Sequence, residues 1–179
     1  GAIGKGGDDR ILDLDLGAPA PGPPGGSYDI VVEDCDFDRN GGHGCAIDID
    51  YETTAYWRTN LNVRGSRARA NSASGFVLHL DNPARCVLHR VLASDNFEDG
   101  LSIISEAPAT LALVSSSSFV SNLGHGVHSS LGSAGVALSH CIFSGNELGG
   151  VLPEQAQATV GSSVAQLQPE AFGGALVRG

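Results

Sequence analysis

Apolar residues in this chain fall in short alternating blocks rather than along a helical stripe. Ile11-Leu-Asp-Leu-Asp-Leu16 alternates strictly, which is the period-2 pattern of a half-buried strand. Later blocks recur around a fixed frame, an asparagine followed four residues on by a glycine. The frame occurs as Asn40-Gly-Gly-His-Gly44, Asn71-Ser-Ala-Ser-Gly75, Asn96-Phe-Glu-Asp-Gly100, Asn122-Leu-Gly-His-Gly126 and Asn146-Glu-Leu-Gly-Gly150. Successive asparagines are 31, 25, 26 and 24 residues apart, a period that belongs to stacked repeats rather than to a globular fold.

Aligned on the asparagines, the repeats resolve into columns. Ten residues before the Asn stand Ile30, Leu61, Cys86, Ala112 and Val136, and eight before stand Val32, Val63, Leu88, Val114 and Leu138. Just after the glycine come Cys45, Phe76, Leu101, Val127 and Val151. Apolar columns separated by polar ones predict two or three short strands per repeat, all facing one interior. Identical corners stacked on one another require parallel pairing between successive coils, about 4.8 Å apart. The recurring Gly marks a corner that needs either positive φ or close backbone approach. The recurring Asn is suited to bonding its own turn and the Asn of the next coil as a ladder.

The expected organisation is an N-terminal strand with a Gly/Pro-rich loop over residues 1–27, a parallel coil stack over 28–167, and a C-terminal tail or cap over 168–179. Ala156 to Leu167 has room for one more coil. The first spacing is the longest, and its excess falls on Tyr51-Glu-Thr-Thr-Ala-Tyr-Trp-Arg58, a loop that holds the only tryptophan. Insertions of this kind often lie on the binding side of a solenoid.

Charge narrows the partners. With 20 acidic against 10 basic residues and a net charge of −10, the surface repels nucleic acid and anionic lipid, so neither is expected as a partner. The chain contains no methionine and begins Gly-Ala-Ile, which suggests a processed or excised piece of a secreted or cell-surface protein. Four cysteines lack Cys-x-x-Cys spacing and lie mostly on apolar columns, which favours buried thiols over a zinc site. A Cys35–Cys45 bridge across one coil stays open.

Three groups of residues could carry chemistry. The position before the corner glycine holds His43, Ser74, Asp99, His125 or Gly149, and outward positions beyond the glycine add Ser102, His128, Asp48, His79 and Glu154. Histidines and carboxylates on one strip suit proton transfer at a sugar carbon, and they also suit a divalent ion or a merely solvated corner. The second group pairs Glu33, Asp36 and Asp38 with Arg64, Arg67 and Arg69 of the next repeat. It reads as a register-setting charge ladder, or as a basic patch of Arg67, Arg69, His89 and Arg90 that could hold a carboxylate. The third is the loop of Tyr51, Tyr56 and Trp57, whose rings could stack on sugars or form a lid.

The Asn-x-x-His-Gly and Asn-x-x-Asp-Gly corners resemble the right-handed parallel β-helix repeat of pectate-lyase-like proteins, especially mannuronan C5-epimerases and related uronate-polysaccharide enzymes. The resemblance spans residues 28–155 and implies an all-β, right-handed parallel β-helix of about five to six coils. It implies epimerase- or lyase-like proton abstraction from a uronate-containing polysaccharide. His43, Asp99 and His125 match the corner pattern and His128 stands beside them as catalytic candidates; Arg67, Arg69, His79, Arg90, Tyr56 and Trp57 are candidate substrate ligands. No cofactor or metal is required, though calcium remains open. The alternative is a non-catalytic polysaccharide-binding or structural module, self-associating through its end coils or its Ala-Phe-Gly-Gly-Ala-Leu-Val tail as a homo-oligomer.

Overall fold

A computed structural model describes residues 12–15, 27–49, 58–80, 83–105, 110–131, 135–154, 157–166 and 176–178. Every described element is a strand. Strand β1 (Leu12–Asp15) precedes coil one, made of β2 (Ser27–Glu33), β3 (Asp36–Asp38) and β4 (Cys45–Ile49). Coil two comprises β5 (Arg58–Arg64), β6 (Arg67–Arg69) and β7 (Phe76–Leu80), and coil three β8 (Ala84–His89), β9 (Leu92–Ser94) and β10 (Leu101–Ser105). Coil four follows as β11 (Leu111–Ser115), β12 (Ser118–Val120) and β13 (His125–Leu131), then coil five as β14 (Gly135–Ser139), β15 (Ile142–Ser144) and β16 (Gly149–Glu154). Strands β17 (Gln157–Gly161), β18 (Val164–Gln166) and β19 (Leu176–Arg178) complete the chain.

Each coil gives one strand to each of three sheets, ordered β1-β4-β7-β10-β13-β16, β19-β17-β14-β11-β8-β5-β2 and β18-β15-β12-β9-β6-β3. All pairings are parallel, as the repeat period requires. The result is a parallel β-solenoid, the all-β fold that the resemblance implies. Beyond the last Asn repeat, β17 and β18 carry two of the sheets onward, and β19 of the tail adds one further strand to β17. The aromatic loop with Tyr51, Tyr56 and Trp57 lies outside the described residues.

The apolar columns fill the interior. Leu61, Val63, Phe76, Leu78, Leu88, Leu101 and Ile103 are fully buried. Phe119 and Phe143 stack on neighbouring coils with ring centroids 5.5 Å apart, while Phe37 meets Phe76 edge-on at 6.2 Å. Such contacts add about 0.5–1.5 kcal/mol each beyond the area they bury.

The five asparagines form a buried ladder. Asn71 Nδ2 donates to Asn96 Oδ1 at 2.9 Å, and the Asn71 backbone N–H reaches the same oxygen at 3.2 Å. Its second amide proton goes back to the Phe37 carbonyl at 3.0 Å. Asn96 and Asn122 repeat this arrangement one coil further on. The glycine follows from the ladder. A Cβ on Gly100 would stand 2.7 Å from the Gly126 carbonyl oxygen and 2.9 Å from Asn122 Nδ2, so close approach, not positive φ, excludes a side chain.

Positive φ occurs at two other corners. Six residues before the Asn it falls on Asp34, Gly65, Arg90, Ser116 and His140, and one before on Arg39, Ala70, Asp95, Ser121 and Gly145. Most of these carry side chains, at a cost of about 1–2 kcal/mol each. Their N–H groups still bond to the next coil, as Arg39 does to the Arg69 carbonyl at 2.8 Å.

A second ladder runs five residues before the Asn. Ser117 Oγ donates to the Ser115 carbonyl at 2.8 Å and accepts the Val91 N–H at 3.2 Å; Ser66 does the same with Arg64 and Cys35. Cys35 and Cys141 occupy this column and direct their thiols to equivalent carbonyls. All four cysteines are free, so the Cys35–Cys45 bridge is not formed. Burial pushes the Cys45 and Cys86 thiols up to about 12, which leaves them protonated and inert.

The charge ladder forms as the columns predict. Glu33 meets Arg64 at 3.2 Å, Asp36 meets Arg67 at 2.6 Å in a two-pronged pair, and Asp38 pairs with Arg69 in the same way. The Arg67 hydrogen bond is the main reason the Asp36 carboxyl lies below the usual range. These pairs are half exposed, so each is worth only about 0.2–1 kcal/mol, yet together they fix register between coils one and two, across β2 and β5 as well as β3 and β6.

Candidate functional site

The corner between the Asn and the following strand is a small grid of stacked positions. One residue after the Asn stand Ser72, Phe97, Leu123 and Glu147; two after, Ala73, Glu98, Gly124 and Leu148; three after, Ser74, Asp99, His125 and Gly149. Backbone bonds from Leu123 N to Asn96 O, Gly124 N to Glu98 O, and Leu148 N to Gly124 O hold the rows in register. Rows therefore lie one strand spacing apart, about 4.8 Å.

Asp99 is the centre of this grid. Its Oδ1 accepts the His125 backbone N–H at 2.7 Å, with the His125 ring Nδ1 3.4 Å away. Its Oδ2 lies 3.1 Å from His128 Nδ1. The two imidazoles sit 5.8 Å apart, centroid to centroid. Burial by itself would raise the Asp99 carboxyl; the His128 hydrogen bond, the His125 N–H and the charge of both rings outweigh it and hold the group below its ordinary value. Asp99 is thus an ionised anchor, too weak a base to take a proton itself.

The carboxylate reaches His128 diagonally, since Asp99 precedes one corner glycine while His128 follows the next by two residues. Gly124 is required for the cluster. A Cβ there would run into Asp99 Oδ1 and the backbone at Glu98 and Asp99. His125 and Asp99 keep only 18% and 15% of their side-chain surface, so the pair is enclosed while still reachable. Such enclosure strengthens the electrostatic link between them.

The other candidates are distributed more widely. His43 occupies the Asp99-equivalent position two coils earlier, where its Nδ1 accepts the Ser74 backbone N–H at 3.1 Å. That bond places the proton of the neutral ring on Nε2 and gives His43 the same corner-capping role as Asp99. Ser74 Oγ in turn donates to Glu98 Oε2 at 3.0 Å. His79 pairs with Asp48 at 3.3 Å on β4 and β7, two strands from His128 in the same sheet. The strip of four histidines therefore divides into three groups, and only His125 and His128 share a carboxylate.

Arg67 and Arg69 lie in a different sheet, already engaged by Asp36 and Asp38. Arg90 is an exposed corner residue with φ 53. His89 Nδ1 lies 3.0 Å from Ser115 Oγ. Tyr56 and Trp57 lie outside the described residues. Among the described residues, no group of three or more His, Cys, Asp or Glu is arranged to hold a metal ion.

Several features of the site escape a repeat-based reading. Phe97, Leu123 and Leu148 are 68%, 44% and 57% exposed at one corner on consecutive coils. The available signal for Phe97 and Leu123 was an apolar residue in a column otherwise occupied by Gly41, Ser72 and Glu147, and for Leu148 one in the next column, beside Gly42, Ala73, Glu98 and Gly124.

No family model matches the chain, and no curated protein matches it. Among solved structures it is similar to the periplasmic alginate epimerase AlgG, at 18% sequence identity and a TM-score of 0.40. That match covers 86% of this chain and 44% of AlgG, so the chain spans less than half of that protein's length.

Proposed function

We propose that this protein is a carbohydrate-active β-helix acting outside the cytoplasm on a uronate-containing polysaccharide, with His125 transferring the proton and Asp99 and His128 positioned around it. The observation that carries this reading is the single enclosed carboxylate holding two imidazoles. Ionised Asp99 accepts the His125 backbone N–H and lies 3.4 Å from its ring Nδ1, which orients the imidazole. His125 takes the proton from the sugar carbon bearing the carboxyl group. The electron pair moves into that carboxyl as an enediolate, next to the His128 ring that Asp99 also holds. Delivery of a proton from solvent water to the opposite face gives an epimer, with His125 returning its own proton to solvent; expulsion of the neighbouring glycosidic oxygen, which takes up the proton from His125, gives an unsaturated end.

One observation favours a second, non-catalytic reading as a polysaccharide-binding module. Asp99 and His43 perform the same structural task, capping the N–H of the next coil. The same enclosed site then serves recognition alone.

Incubation with polymannuronate, alginate and polygalacturonate, with and without calcium, decides between them. Absorbance of unsaturated ends and NMR of uronate epimers are the readouts. His125→Ala is expected to abolish product and Asp99→Asn to reduce it by about 10²- to 10⁴-fold, the usual contribution of general acid–base catalysis. Binding without product from any polymer would leave the module reading alone standing.

A further inference from the structure

Beside the acid–histidine cluster, the same corner presents an apolar surface in an acidic setting. Phe97 is the most exposed large apolar side chain among the described residues, and Leu123 occupies the equivalent position one coil further. Leu148 continues the surface over Gly124, which contributes no side chain. Within the grid, full negative charge is supplied by Glu98, Asp99 and Glu147, and no lysine or arginine occupies any of its positions.

We propose that Phe97 and Leu123 form a stacking platform for an uncharged sugar ring, adjacent to the ring that meets His125. This rests on the polysaccharide reading and adds the chemistry of the neighbouring subsite. A pyranose offers an apolar C–H face and a rim of hydroxyl donors. The Phe97 ring with the Leu123 side chain matches the face. Glu98 and Glu147, both exposed on the same corner, match the rim as acceptors. A carboxylate-bearing ring is disfavoured at this place, because two like charges about 4 Å apart repel by ~1 kcal/mol even in water, or about fivefold in affinity. A protein partner explains the apolar side chains but not the flanking carboxylates or the adjoining imidazole cluster. Position along the solenoid axis then fixes how the polymer runs, from Phe97 across Gly124 toward Leu148, with His125 at its side.

The test uses the full chain with polygalacturonate and polymannuronate, each as the free acid and as the methyl ester, which differ in charge on one backbone. Calorimetric titration is expected to show tighter binding of the ester. Phe97→Ala should weaken it by about threefold to tenfold, with an unchanged thermal midpoint because the ring is largely exposed. Glu98→Gln with Glu147→Gln should narrow the preference for the ester. Equal affinity of wild type and Phe97→Ala overturns the platform, as does a preference for the free acid, or release of a homo-oligomer by Phe97→Ala. Turnover that requires His125 while ignoring Phe97 removes the platform alone; Phe97-dependent binding without turnover removes catalysis alone. Absence of binding to every polymer removes both.

Discussion

Two columns of the same corner, three residues apart, obey opposite rules. The asparagine column is identical on all five coils, while the column before the glycine holds His43, Ser74, Asp99, His125 and Gly149. The first is buried, and the amides of Asn71, Asn96 and Asn122 bond forward and back, so one substitution strands donors on one coil and an acceptor on another. The second lies at the rim, where its task of capping one N–H is met by an imidazole or a carboxylate. Uniformity follows from contact between coils on both sides, and variety follows from contact on one. Chemistry can therefore accumulate only in the second column.

The largest test of that contrast is Asn96→Leu. It removes the acceptor for the Asn71 N–H and Nδ2 and both donors to Ala68 and Asn122. With about 1–3 kcal/mol for each stranded buried group, a loss on the order of 4 kcal/mol is expected in urea unfolding. His43→Ala in the variable column should cost about 1 kcal/mol, the net worth of one hydrogen bond. Comparable losses from the two would erase the distinction.

Gly100→Ala comes next, at about 2–3 kcal/mol, since its Cβ must displace either the Gly126 carbonyl or the Asn122 amide. Were positive φ the reason for glycine here, alanine would strain the backbone locally without shifting the ladder. Amide proton shifts of Asn122 Nδ2 separate the two causes.

Acid provides a smaller effect. The Asp99 carboxyl is lowered in the folded chain, so its stabilisation is present above the unfolded value of about 3.9 and is lost as pH falls through the folded value below that. Stability of the wild type should drop as pH falls below about 4 more steeply than that of Asp99→Asn. Parallel curves would show that the cluster contributes nothing to the native charge balance. The smallest change expected is a gain: Ala70→Gly relieves φ 53 and should stabilise by up to about 1 kcal/mol, part of the relief being offset by glycine's extra freedom when unfolded.

Much of the architecture was legible because a solenoid repeats itself by translation. Aligning Asn40, Asn71, Asn96, Asn122 and Asn146 places Asp36 over Arg67 and Leu101 over Val127 with no knowledge of the coil's shape, and both registers are present. The asparagine ladder was legible for the same reason. The site was legible only in part. Asp99 and His125 share a column and so were bound to be neighbours, whereas His43, two coils away in that column, and His79, in another, do not join them. The serine and cysteine ladder was hidden because Ser66, Ser117 and Cys141 look like small core residues until the carbonyls they meet are known.

By itself, then, the sequence determined the period, the parallel pairing, the interior columns and the charge ladder, because these depend only on which residues recur at one spacing. Tertiary structure decided the rest. Closing each coil brings the Gly100 backbone against the Asn122 amide, so the glycine answers to close approach while side-chain-bearing residues such as Ala70 take up the left-handed corners. The same closure lets Asp99 reach diagonally to His128 and leaves Phe97 outside. A repeat encodes translation along the axis; direction around it, and hence which side chains meet, exists only once the coil has turned its corners.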